Sequence, residues 1–207
     1  MTWIFLHGRG QAPSAWQPVL RRLEPELTVH CPSLPELAAG DPRYPALLSA
    51  LETALDSIPG PLHLCGLSLG GVLAMDYALR HPERVASLVL CGTPLTMPRN
   101  LLRLQDFLFR LMPERAFAGS GFSREAMRQL AGSMAELDLR PRLPELSCPV
   151  LVLCGSKDRA NRKAARELAE QLPQARLHWI AGAGHEANLD SPEVMAELLR
   201  GFYQSLS

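Results

Sequence analysis

The chain has 207 residues, 47% hydrophobic and 20% charged, with 21 Lys and Arg balanced by 21 Asp and Glu. That is enough chain for one well-packed domain, 1–207, and the zero net charge lacks the basic surplus of a nucleic-acid footprint. No run approaches the ~18 apolar residues that cross a bilayer, and the short apolar start has no basic flank of a signal peptide.

The expected setting is therefore cytoplasmic, with no nucleic-acid and no membrane partner. Five cysteines, at 31, 65, 91, 148 and 154, form no C-x-x-C pair. Cys65, Cys91 and Cys154 sit in apolar runs and read as small buried hydrophobes in a reducing compartment. Neither a metal nor a cofactor is expected.

Thr2 to Leu6 is a continuous apolar run, the pattern of a strand covered on both faces. It ends in His7-Gly8-Arg9-Gly10, a loop whose glycines allow close backbone approach. Ser14 to Gln17 predicts a capping box, with Trp16, Val19, Leu20 and Leu23 at helical spacing and Pro18 in conflict. A second short strand is predicted at 27–31. A Pro-rich loop follows, then a helix burying Leu47, Leu48, Leu51, Leu55 and Ile58.

Leu62 to Cys65 predicts the next strand, followed by Gly66-Leu67-Ser68-Leu69-Gly70 and an apolar helix ending near His81-Pro82. A G-x-S-x-G between strand and helix has the pattern of a nucleophile elbow. The tight turn would lift Ser68 Oγ above the sheet and set the Leu69 amide at a helix N-terminus. By itself the pentapeptide also fits a flexible loop. Another apolar strand spans 85–91.

Residues 93–147 carry no clear strand and are cut by five prolines. Leu101 to Met112 is apolar nearly all round, so it is expected to be buried on every side or to face an apolar cavity. Leu101, Leu104, Phe107 and Leu108 are the expected substrate-binding residues, with ordinary core packing as the alternative. A second helical piece is predicted near 123–137. The segment reads as a helical insertion over the sheet top.

The strand–helix rhythm resumes with a strand at 149–154, a Gly155-Ser156-Lys157-Asp158 loop and a helix over 162–172. A last strand covers 177–180, and Ala181 to His185 form a loop. The final helix opens at Ser191-Pro192, with Asp190 expected to cap it. Six strands alternating with helices predict an α/β fold with a mostly parallel sheet, whose sites form at the carboxyl ends of strands.

Those ends carry a constellation. A serine hydroxyl needs a base to become a nucleophile, and the base needs a carboxylate to hold its tautomer. His185 is the only histidine on a late strand-end loop, and Asp158 lies at the end of the preceding strand. A structural histidine and a helix-capping aspartate are the alternatives. Asp76, Asp106 and Asp138 lie off the strand-end loops.

The order Ser68, Asp158, His185 is that of the α/β-hydrolases. LHGRG, GLSLGG, GSKD and GAGH resemble that superfamily in type and order along nearly the whole chain. The resemblance implies a serine hydrolase with catalytic residues Ser68, Asp158 and His185, and oxyanion-hole amides from Arg9 and Leu69. It gives His7 the task of holding the oxyanion loop. Many members have two more strands before the H-G loop, so a reduced six-stranded sheet is implied, with 93–147 as lid. Within the superfamily the chain is most similar to small carboxylesterases, including the pimeloyl-ester group. A small-molecule ester with an apolar or acyl part is the implied substrate, and a monomer or weak homodimer the expected state. A thioesterase, C–C bond hydrolase or lyase would use the same residues, and a non-catalytic receptor is a further alternative.

Overall fold

Five strand pairs, all parallel, join β1 (Thr2–Leu6), β2 (Thr28–His30), β3 (Leu62–Leu67), β4 (Val85–Cys91), β5 (Val150–Gly155) and β6 (Ala175–Ile180) in the order β2-β1-β3-β4-β5-β6. This computed structural model describes residues 1–23, 28–97, 99–172 and 174–206, without the side chains of 99–101, 103–105 and 118. The predicted strand residue Leu27 lies outside the described residues. The helices are α1 (Gln17–Leu20), α2 (Leu34–Leu37), α3 (Tyr44–Asp56), α4 (Leu69–Arg80), α5 (Arg99–Leu111), α6 (Arg124–Ser133), α7 (Arg162–Gln171), α8 (Ala187–Asp190) and α9 (Pro192–Gln204). The α/β-hydrolase fold with a six-stranded sheet is the architecture predicted above.

The unbroken apolar strands are explained by cover on both sheet faces. Ile4, Leu6, Leu64, Leu88, Leu90, Val150 and Val152 enter one core with α3, α4 and α7. Their neighbours Phe5, Cys65, Val89, Cys91, Leu151 and Leu153 enter a second core with Trp16 and Val19 of the first helical turns and Met195, Leu199 and Phe202 of α9. The strand period of two sends alternate residues to opposite layers, so each face needs its own apolar set.

The chain reverses direction between β1 and β3. From β1 it moves outward to β2, with α1 on the second face; from β2 onward it moves the other way, with α3, α4 and α7 on the first. Right-handed crossovers require that change of face when the direction changes. The reversal makes β1 and β3 neighbours and opens a crevice at their carboxyl ends, where His7 and Ser68 follow.

Some local expectations differ. Residues Pro13–Trp16 form a 3₁₀ turn with no side-chain cap, so the predicted capping box does not form. Pro13 opens that turn and Pro18 is the second residue of the short α1, each supplying a preset φ where a donor is dispensable. The 93–147 segment contributes α5, α6 and two 3₁₀ stretches, with one isolated antiparallel bridge between Thr96 and Asp138. The five cysteines are all free thiols. Among the described residues no helix is long and apolar enough to cross a membrane.

Candidate active site

The last residues of β3 enter a turn in which Ser68 adopts φ 53° and ψ −114°, alone among described non-glycine residues in having positive φ. An L-residue held there costs roughly 1–3 kcal/mol, which the surroundings must offset. They do so with hydrogen bonds on both sides: Ser68 N–H donates to the Cys91 carbonyl at 2.9 Å, and Val72 N–H to the Ser68 carbonyl at 3.0 Å. The glycines are needed for packing. A Cβ on Gly66 would lie 2.3 Å from the Gly70 carbonyl carbon and oxygen, and one on Gly70 would lie 2.2 Å from the Leu6 carbonyl oxygen. The elbow is thus pressed against the end of β1. Leu69, the first residue of α4, presents one of the amides that the helix itself cannot satisfy.

The loop after β1 packs on this elbow. A Cβ on Gly8 would meet Leu67 Cδ2 at 2.8 Å. His7, fully buried, donates from Nδ1 to the Gly8 carbonyl at 2.8 Å, and its Nε2 accepts from the Leu34 amide at 3.1 Å. That pairing fixes one neutral tautomer, and burial holds the ring below the usual imidazole range against the Gly8 hydrogen bond. The Arg9 guanidinium lies 5.5 Å from the centre of the Phe109 ring on α5, and burial lowers its pKa. This contact links the loop after β1 to the 93–147 segment. A cleft of about 300 Å³ opens beside the loop, between Ala12 and Pro13, Ser33 and Pro35, and Ser120 and Gly121.

On the other side of β4, the loops after β5 and β6 are fastened together. Lys157 N–H donates to the Ala183 carbonyl and Ser156 N–H to that of Ile180, both at 2.9 Å. A Cβ on Gly155 would lie 2.0 Å from the Gly184 carbonyl oxygen, so only glycine permits this approach. Across the junction, His185 Nδ1 and Asp158 Oδ2 are 2.7 Å apart. The Asp158 side chain is 3% exposed and that of His185 42%, so the pair joins a buried anion to an accessible ring. Gly92, at the end of β4, faces both; its Cβ would lie 3.1 Å from Asp158 Oδ2 and from His185 Nδ1. Since Ser68 N–H bonds to Cys91, one residue separates the elbow's anchor from the Asp–His pair. Among the described residues no hydrogen bond joins Ser68 to the imidazole.

Burial pushes the Asp158 carboxyl up, but hydrogen bonds from His185 and Asn161 outweigh it and hold the group below the usual carboxylate range. A carboxyl with a depressed folded pKa binds its proton more weakly in the folded chain than in the unfolded one. Its stabilisation is therefore complete above the ordinary value and is lost as pH falls through the lowered one. The urea midpoint of the parent protein is expected to fall more steeply than that of Asp158→Asn between ~pH 6 and ~pH 3, either side of the ordinary Asp pKa. Parallel pH profiles would contradict this account.

Several residues here carried no distinctive sequence signal. Gln11 Nε2 donates to Glu186 Oε1 and to Asn188 Oδ1, both at 3.1 Å, while Gln11 Oε1 accepts from Gly8 N–H at 3.3 Å. Asn188 Nδ2 donates to the Ala15 carbonyl at 3.0 Å. This buried amide pair ties the loop after β1 to the loop carrying His185 across 177 positions, a separation that no local pattern records. Asn161 contacts both Asp158 and His185. Asp190 does not cap the last helix as predicted: its Oδ2 accepts from Gly184 N–H at 2.6 Å, and Ser191 occupies the cap position. It braces the turn before His185 because the intervening short helix α8 folds it back. The other carboxylates are engaged elsewhere, Asp76 with Tyr44 and Arg80, Asp106 with Arg110 and Arg128, Asp138 with Arg140.

Of the four residues expected to line a substrate cavity, Leu101 and Leu104 have side chains outside the described residues. Phe107 and Leu108 are 58% and 49% exposed, so α5 is not enclosed on every side as its composition suggested. Among its described side chains Leu102 is buried, and Phe109 packs edge-on against Phe117 of the first core.

A family model described as the alpha/beta hydrolase family matches residues 3–198. The chain belongs to the alpha/beta hydrolase family. A pimeloyl-[acyl-carrier protein] methyl ester esterase of Aromatoleum aromaticum is 30% identical, over 95% of each chain. One of the same name from Aeromonas hydrophila is also 30% identical, over 96% of this chain and 94% of the relative. Among solved structures, the enol-lactonase from Burkholderia xenovorans LB400 superposes with a TM-score of 0.81 at 21% identity, covering 98% of this chain and 91% of that one. That likeness concerns the alpha/beta hydrolase fold alone.

Proposed function

We propose that this alpha/beta hydrolase is a serine carboxylesterase working through an acyl-enzyme. The observation that carries the reading is the 2.7 Å Asp158–His185 contact on loops beside the strained Ser68 elbow. Asp158 accepts from Nδ1–H, leaving Nε2 as the basic nitrogen. Nε2 removes the Ser68 proton as Oγ attacks the ester carbonyl. The carbonyl electron pair moves onto oxygen, where the amides of Leu69 and Arg9 stabilise the anion. Collapse expels the alcohol, which takes the proton from His185, and leaves an ester on Ser68. His185 then deprotonates a water that attacks this ester, the acid departs, and Ser68 recovers its proton. Asp158 stays ionised throughout and stabilises the imidazolium.

The reading takes 93–147 as a lid within a single domain, supported by its position between β4 and β5 and by the Arg9–Phe109 contact. Esters of acyl chains are the proposed substrate class, supported by the names of the two esterase relatives. Methyl esters of carrier-linked acyl groups are the first to try. The proposed setting is cytoplasmic, in keeping with five unbridged thiols, and the proposed state is a monomer or weak homodimer. Incubation with a fluorophosphonate, followed by mass spectrometry of the intact chain and its peptides, is expected to show one adduct on Ser68 that Ser68→Ala removes. A folded protein that takes no label, or one still labelled after that substitution, would refute the reading.

A further inference from the structure

We propose that Asn161 is a positioning residue of the Asp158–His185 pair, its side-chain amide clamping the carboxylate while sharing Oδ2 with the imidazole; this rests on the esterase reading above. Asn161 stands at the N-cap of α7, where an asparagine ordinarily turns its side-chain oxygen back to accept a helix amide. Here it makes no such cap. Its Nδ2 instead reaches Asp158 Oδ1 at 3.0 Å and Oδ2 at 2.9 Å, and its backbone N–H reaches Oδ1 at 3.3 Å. Only the NH₂ end of an amide is compatible with two carboxylate oxygens, so the orientation follows from chemistry.

The contact with histidine has a particular meaning. Asn161 Nδ2 and His185 Nδ1 are 3.2 Å apart. Nδ1 donates to Asp158, so these are two donors converging on one oxygen. The arrangement fixes the carboxylate plane so that Oδ2 faces the imidazole. The helix forgoes its side-chain cap so that Asn161 can hold Asp158.

The titratable and charged groups around the pair are few. Cys91 at the end of β4 and Cys154 at the end of β5 are buried thiols, pushed up by burial and so neutral. Arg162 of α7 lies over the Trp179 ring. Glu186 accepts from Gln11, and Asp190 of α8 accepts from the Gly184 amide. None of these bonds involves Asn161, so its replacement leaves them in place.

Two variants test the assignment. Asn161→Asp is close to isosteric and places a second anion beside the ring. The His185 midpoint, followed by NMR in a Ser68→Ala background, is expected to rise by about one pH unit or more. Asn161→Ala, with Ser68 intact, is expected to lower kcat by about tenfold or more while KM stays within about twofold of the parent, because the ring loses its held geometry. Thermal midpoints recorded alongside identify a variant that has merely unfolded. A His185 midpoint that does not move in folded Asn161→Asp, or a parental kcat in folded Asn161→Ala, overturns the assignment. The NMR titration needs no turnover. If the parent neither hydrolyses esters nor takes the fluorophosphonate, it is the esterase reading that has failed, and the titration still decides whether Asn161 governs the pair.

Discussion

Ser68→Ala and His185→Ala are each expected to lower kcat toward a p-nitrophenyl ester by about a million-fold, with little change in KM. The size of the loss follows from the chemistry proposed for the site. Without Oγ there is no acyl-enzyme, and without the imidazole Oγ keeps its proton at neutral pH. Either change removes the whole covalent route, so the double variant should be barely worse than either single one. Asp158→Asn should cost less, about 10⁴-fold, since the imidazole remains but is held in the wrong tautomer. On the proposed mechanism, what survives in each case would come from the amides of Leu69 and Arg9 and from substrate binding. Steady-state kinetics on the four proteins reads these differences directly. A Ser68→Ala protein within tenfold of the parent kcat would mean that the nucleophile lies elsewhere.

The second large effect is expected in stability, at the glycines of the elbow. Gly66→Ala and Gly70→Ala would force a Cβ to within 2.3 Å and 2.2 Å of backbone atoms belonging to Gly70 and Leu6. Backbone cannot rotate aside, so β3, α4 and the end of β1 must separate. A penalty above about 4 kcal/mol is expected, enough to leave little folded protein. Gly71 makes a useful contrast because its obstacle is a side chain. A Cβ there would lie 2.0 Å from Thr93 Oγ1 and 3.0 Å from Thr93 Cβ and Cγ2. Thr93→Ala removes the closest of these atoms and sacrifices one hydrogen bond to the Cys91 carbonyl, worth about 1 kcal/mol. Gly71→Ala with Thr93→Ala should therefore unfold at higher urea than Gly71→Ala alone. No second substitution should rescue Gly66→Ala. A Gly66→Ala protein with the parental urea midpoint would show that the elbow packs differently.

The glycine contacts also indicate why the elbow was readable in the chain. Gly66, Ser68 and Gly70 are neighbours in sequence, and the constraint they satisfy is local: a turn with positive φ at its centre and no room on either side. The apolar strands were readable for a similar reason, since a strand covered on both faces has no polar positions to interrupt it. Within the 93–147 segment, apolar content was misleading. Phe107 and Leu108 lie on a helix that looks buried by composition, yet the helix sits on the outside of the core and exposes them. Hydrophobicity measures what a side chain would gain from burial, and neighbours decide whether burial is offered.

Composition, the unbroken apolar strands alternating with helices and the order of the strand-end loops determined the fold class, the parallel sheet and the neighbourhood of Ser68, Asp158 and His185. These follow from short-range rules that every segment obeys separately. Only the tertiary structure decided how the loops are held. Gln11 bonding Asn188, Asp190 bracing Gly184, and Asn161 giving up a helix cap to grip Asp158 all depend on which polar groups meet once the sheet has formed. A buried polar side chain must find a partner wherever the fold presents one, and that partner's position in the chain is unconstrained.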